Sequence, residues 1–169
     1  EVEFFSSDSE DQKLRQARET RELDDKYQML KADLQSEITQ GLAQVEKVGD
    51  QIMISLSAAN SFRSGFAELQ QGFLGTLRTV GDSVAAAGGK VQISGHTDNI
   101  PIAFSERFDS NWDLSAARAA SVADFFFANN NLDSNNVSVF GYADTKPLAD
   151  NTEAQGRAAN RRIEILIDG

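Results

Sequence analysis

The sequence predicts an α/β (α+β) two-layer sandwich, with helices on one face of a mixed sheet, preceded by a long N-terminal amphipathic helix. Three observations lead there. Short apolar runs recur near 51–56, 90–94, 137–140 and 161–167, with the period of two that marks half-buried strands. Helical patterns alternate with them, over about 73–84 and 113–128 and more briefly over 152–159, which gives the order β-α-β-α-β-(α)-β. The first 50 residues differ from the rest: they lack proline, hold glycine only at Gly41 and Gly49, and carry 13 acidic against 7 basic residues.

Taken in order, residues 1–22 read as a flexible or partly helical lead-in, with Phe4 and Phe5 among serines and acids. From Leu23 the apolar residues fall at Tyr27, Leu30, Leu34, Ile38, Leu42 and Val45, in steps of three or four. That spacing draws one stripe along a linker helix over 23–49, which Gly49-Asp50 is expected to end. The domain proper is expected over 50–169. Ile52, Ile54 and Leu56 alternate as a strand, and a glycine-interrupted stretch follows at 62–69. Phe73, Leu74, Leu77, Val80 and Val84 mark a helix that Gly88-Gly89 stops. Val91 and Ile93 define the next strand, and a loop over 99–112 contains Ile100-Pro101. Phe125-Phe126-Phe127 supplies bulk to the following helix, and Asn151-Thr152-Glu153 resembles the cap of the short one.

Composition removes several functions. A formal net charge of −10 in 169 residues argues against nucleic acid as a partner, because neutralising phosphates needs clustered Lys and Arg. There is no cysteine, so disulfides and thiol catalysis are absent. A lone histidine, His96, offers too few ligands for a metal site. No apolar run is long enough to span a bilayer. A start at Glu1-Val2-Glu3, without initiator methionine or signal sequence, reads as that of a fragment whose membrane segment lies upstream.

The chemistry-bearing residues cluster where strands end. Val91-Gln92-Ile93-Ser94 runs through Gly95 into His96-Thr97-Asp98. Arg118 interrupts the apolar stripe of Leu114, Val122 and Phe125 one turn inside the next helix, so its charge must be paired or face a cleft. Asp98 is its expected neighbour. Two readings stay open: a structural Asp98–Arg118 salt bridge, or two charges flanking an amino-acid-like zwitterion, with the planar guanidinium taking a carboxylate. Arg161 is in phase with Ile163 and Ile165 and is expected to reach the site; Arg162 points to the other face and reads as a solvated surface charge. A catalytic role would need a nucleophile with an adjacent base; Ser94 and Thr97 are strand neighbours of His96, with 94 and 96 on one face, and no catalytic residues are assigned. Trp112 and Tyr142 read as covers of the core edge.

Gly95-His96-Thr97-Asp98, the Asn111 to Ala119 segment with its Asn-x-x-Leu-Ser-x-x-Arg-Ala pattern, Gly141-Tyr142-Ala143-Asp144 with Pro147, and Gly156-Arg157 with Asn160-Arg161-Arg162 together resemble the OmpA-like peptidoglycan-binding domain over about 50–168. Asn99-Ile100-Pro101-Ile102, the long loop through Ser110, Trp112 and the N-terminal helix are similar to the periplasmic part of flagellar-motor stator B subunits of the MotB/PomB type, on its sodium-driven side. The resemblance implies a peptidoglycan anchor without enzymatic activity or cofactor. Its ligand would be the diaminopimelate zwitterion of a stem peptide, held by Asp98 and Arg118, with Thr97, Asn111, Leu114 and Arg161 at neighbouring motif positions. It further implies a homodimer in a single-pass inner-membrane protein, joined to a stator A subunit through transmembrane parts and placed near periplasmic flagellar ring proteins.

Overall fold

Alternation along the strands sets the architecture, because it gives the sheet one apolar face and one polar face. In the computed structural model, which describes residues 2–102 and 106–169 and side chains from residue 8, a long helix α1 (Val2–Asp33) and a short α2 (Gln35–Thr39) lead into strands β1 (Gln44–Val48) and β2 (Gln51–Ser57). Then come α3 (Ala58–Ser61), α4 (Leu74–Ala87), β3 (Val91–His96), α5 (Asn111–Asn129), β4 (Val137–Gly141), α6 (Ala154–Asn160) and β5 (Arg162–Asp168). The strands form one five-stranded sheet in the order β1-β2-β5-β3-β4, mixed because β3 and β4 run parallel and the other pairs antiparallel. Ile52, Ile54, Leu56, Val91, Ile93, Ile163, Ile165 and Ile167 bury the apolar face against Leu77, Val80, Val84, Val122 and Phe126 of α4 and α5. Of the three consecutive phenylalanines only Phe126 is fully buried, and Phe127 is exposed.

The helix expected over 23–49 stops earlier. Gly41 adopts a φ of 74°, left-handed backbone that favours glycine, and its N–H closes the last turn on the Ile38 carbonyl. Residues 44–48 then form an edge strand that the sequence reading missed. Gly49-Asp50 is the two-residue turn of the β1–β2 hairpin rather than a helix stop, with Gly49 at φ 62°. Val45, assigned to the helical stripe, lies opposite Ile54 in this hairpin, where it is buried by the strand's alternation instead. The helical stripe itself docks: Leu30 and Leu34 are fully buried, and Leu23, Tyr27 and Ile38 pack against the core. Residues 8–22 of α1 are exposed throughout. The side chains of Phe4 and Phe5 lie outside the described residues.

Two glycines let α5 lie close on the sheet. A Cβ at Gly95 would stand 2.0 Å from the Ser115 carbonyl oxygen, and one at Gly141 would stand 2.6 Å from the Ala116 nitrogen. These glycines are partners across β3 and β4. Their lack of side chains brings the first turns of α5 down onto the strand exits. Ser110 caps α5 through its hydroxyl, which accepts from the Asp113 N–H, while the Asp113 carboxylate accepts from the Asp109 N–H.

Candidate functional site

All six residues singled out in the sequence, Thr97, Asp98, Asn111, Leu114, Arg118 and Arg161, line one cavity of about 660 Å³. It lies where β3 ends and β5 begins, between α3 with the 62–70 segment on one side and the start of α5 on the other. Thr97 and Asp98 are held by what surrounds them. The Thr97 N–H donates to the Ala143 carbonyl at 2.8 Å, and the Ala143 N–H donates to the Ser115 hydroxyl at 3.1 Å. Thr97 turns its own hydroxyl onto the Asp98 carbonyl. Asn111 donates to the Ile100 carbonyl, which fastens the β3 exit loop to the first turn of α5. Residues 103–105 of the long 99–110 loop lie outside the described residues.

The expected Asp98–Arg118 pair does not form. Asp98 instead accepts from Arg161 at 2.6 Å, through one carboxylate oxygen, and from the Ile100 N–H at 3.0 Å through the other. Arg118 donates Nε to the Phe66 carbonyl at 2.8 Å and Nη2 to the Arg63 carbonyl at 3.1 Å, and its guanidinium lies over the Phe62 ring at 5.0 Å. The reason is positional: the segment after α3 packs against α5 and puts backbone acceptors beside Arg118, while Arg161, at the end of α6, is nearer to Asp98. Among the described residues no carboxylate pairs with Arg118. Burial, aided by the charge of Arg161, brings Arg118 down to about 10. A desolvated cation that has only neutral oxygens around it gains from an incoming anion. No sequence signal identifies the Phe66 and Arg63 carbonyls as its holders, because backbone acceptors carry no residue signature.

Arg162 corrects a second expectation. It is 5% exposed, not solvated. Its Nε donates to Glu164 at 3.0 Å, Nη1 to the Asn160 carbonyl and Nη2 to the Lys146 carbonyl. Asn160, fully buried, accepts from the N–H groups of Leu148 and Ala149 and donates to the Ala149 carbonyl and Asn151, so it knots the loop containing Pro147 onto α6. Gly156 allows the same approach, since a Cβ there would meet the Asp150 carbonyl oxygen at 1.8 Å. The Asn-Arg-Arg run therefore supplies one buried knot, one cleft residue and one buried tie.

His96 faces away from the cleft, on the polar side of the sheet, and stacks on Tyr142, which in turn stacks on Phe140. Tyr142 thus covers the polar sheet face; Trp112 is half exposed at the start of α5. The His96 Nε2 is 2.9 Å from Ser94 Oγ and 3.2 Å from a Glu164 oxygen. A hydrolytic relay needs serine and carboxylate on opposite ring nitrogens, so this grouping is not one. No cluster suited to a metal ion occurs among the described residues.

A mixed sheet covered on one face, with a polar cleft where β3 ends and charged side chains of both signs lining it, defines a ligand-binding α/β sandwich domain. Residues 61–161 match the OmpA family, and the chain belongs to that family. Motility protein B of Bacillus subtilis (strain 168) is 51% identical over 75 residues, which cover 44% of this chain and 28% of that protein. The cell wall anchor of the T6SS from Pseudomonas aeruginosa has the same fold with a TM-score of 0.78 and 36% identity, covering 83% of this chain and 96% of that one. The periplasmic domain of Helicobacter pylori MotB (residues 90–256) superposes with a TM-score of 0.68 at 22% identity, over 75% of this chain and 78% of that one, a likeness of fold. The chain spans less than half the length of the curated relatives it matches.

Proposed function

We propose that this domain is a non-catalytic cell-wall anchor of a flagellar-motor stator, fixing an ion-driven membrane complex to peptidoglycan. The observation that carries the reading is Arg118: among the described residues, a buried guanidinium without a carboxylate partner, in a cavity where the one lining carboxylate, Asp98, is held on the adjoining wall. A diaminopimelate zwitterion fits that polarity. Its carboxylate would take Arg118, whose Nη1 is free of the carbonyl bonds, and its ammonium would take the remaining acceptor positions of Asp98. Thr97, Asn111 and Leu114 line the same cavity, and Arg161 both steadies Asp98 and adds positive potential for the anion. The similarity to Motility protein B supports the stator assignment. With it come a periplasmic location in a single-pass inner-membrane protein, a homodimer, a stator A partner, proximity to flagellar ring proteins and, on the PomB-like reading, sodium drive. No helix among the described residues is long and apolar enough to cross a membrane.

Pull-down with purified sacculi tests the binding. Wild type is expected to sediment with the wall, and Asp98→Ala and Arg118→Ala to stay in solution. Unimpaired sedimentation of both variants, or release of muropeptides by the wild type, would remove this reading. A second reading is favoured by the 36% identity over nearly all of the Pseudomonas aeruginosa anchor: the same wall-binding domain in a secretion apparatus. Fusing the chain to the membrane segment of a motility protein B and scoring swimming separates the two.

A further inference from the structure

The polar face of the sheet carries a buried ionic cluster directly behind the cleft. Its central residue is Glu164. One of its oxygens is 3.2 Å from His96 Nε2 and the other accepts from Arg162 Nε at 3.0 Å. Across the β3–β5 ladder Ser94 faces Glu164 and His96 faces Arg162, so the carboxylate ties the exit of β3 to the start of β5. The ladder alone does not explain the cluster, since burying charges costs free energy that apolar residues would avoid. Each partner sits next to a cleft residue in the chain: His96 lies two positions before Asp98, and Arg162 follows Arg161. Arg162 also grips the Asn160 carbonyl, the peptide that leads into Arg161, while the Arg161 carbonyl accepts from the Ala58 N–H.

We propose that Glu164 is a positioning residue for the cleft: by joining His96 to Arg162 behind the sheet, it sets the spacing and orientation of Asp98 and Arg161 on the ligand side. Glu164 does not line the cavity, and among the described residues its side chain is bonded to His96 and Arg162 rather than to a cleft residue. Other polar neighbours include Ser94, on His96 Nε2, Tyr142, stacked on the ring with Lys146 above it at 4.2 Å, and Ser55 and Ser57 of β2, opposite Glu164 and Arg162 in the ladder. This inference rests on the wall-binding reading for its ligand and not for its geometry.

The test uses the chain as it stands, with sacculi and a soluble peptide bearing a free diaminopimelate end as probes. Glu164→Gln keeps size and one acceptor; Arg162→Lys is the second variant should the first not fold. In the ligand-free protein, Glu164→Gln is expected to shift the NMR amide signals of Asp98 and Arg161. Signals that stay in place overturn the proposal, whether or not any peptide binds. With peptide, the variant is expected to bind at least tenfold more weakly while its melting transition stays cooperative. The ring signals of His96, the chain's single histidine, should move on binding in wild type although the ring is buried away from the cleft. Wild-type affinity in both variants, or a His96 ring indifferent to saturating peptide, refutes positioning. Failure of the wild type itself to bind would count against the wall ligand alone, since the ligand-free shifts still read the positioning.

Discussion

At the scale of residues, the charges divide into pairs that can be told apart by measurement. Asp98 and Arg161 are bonded at 2.6 Å, whereas Asp98 and Arg118 share a cavity without touching. The stability effects of Asp98→Ala and Arg161→Ala should therefore fall short of additivity in urea unfolding, because either substitution alone already removes the bond between them. Arg118→Ala also strips donors from the Arg63 and Phe66 carbonyls and is expected to cost about 1–3 kcal/mol by itself. Glu164 gives a pH signature. Burial pushes its carboxyl up, but the hydrogen bond to His96 and the charge and hydrogen bond of Arg162 outweigh it and hold the group at about 2, below the usual 4.5. A depressed folded value means stability that is complete above 4.5 and is lost as pH falls from there through 2, up to about 3 kcal/mol in all. The gap in unfolding free energy between wild type and Glu164→Gln should narrow steadily between pH 5 and roughly pH 2; a constant gap would show that the carboxylate is not charged in the fold.

At the scale of elements, β3, α5 and the Gly95–Gly141 contact carry the site. Gly95→Ala or Gly141→Ala would drive a methyl group into the α5 backbone, and each is expected to cost about 1–3 kcal/mol and to weaken wall binding by lifting Leu114 and Arg118 from the cleft. Melts combined with sacculus sedimentation check both effects. Four of the five strands, the two long helices of the domain and the gathering of Thr97, Asp98, Asn111, Leu114, Arg118 and Arg161 were legible, because period and motif order are local properties of the chain. β1 was not: Gln44-Val45-Glu46-Lys47-Val48 offers one buried residue, and its valines also fit the helical spacing begun at Leu23. Gly41 and the Gly49-Asp50 turn held the signal, a helix end followed by a hairpin, yet either glycine could close a helix. The partner exchange between Asp98, Arg118 and Arg161 was out of reach for another reason. It depends on which backbone carbonyls fold against α5, and on Arg162 spending its donors inside the loop knot of Asn160.

At the scale of the whole molecule, α1 is divided between a docked part and a bare one. Removing residues 1–22, exposed from 8 onward, should leave the melting midpoint unchanged within about a degree, whereas Leu30→Ala or Leu34→Ala should each cost about 2–5 kcal/mol. The docked part is tied at the end of the sheet away from the cleft. Lys26 donates to the Asp168 carbonyl, Gly169 lies against Leu23, and its N–H meets the Asp50 carbonyl in the hairpin turn. From Leu23 the helix continues beyond that end, so residues 8–22 reach out by about 20 Å at the usual rise. The cleft and the outgoing helix thus occupy opposite poles, with β2, β5 and β3 running lengthwise between them. A tug on the helix while the cleft is held would load the ladder bonds of these antiparallel strands side by side, in shear, rather than peel them open in turn. Such a domain resists traction along one axis and gives way far more easily to force applied across it.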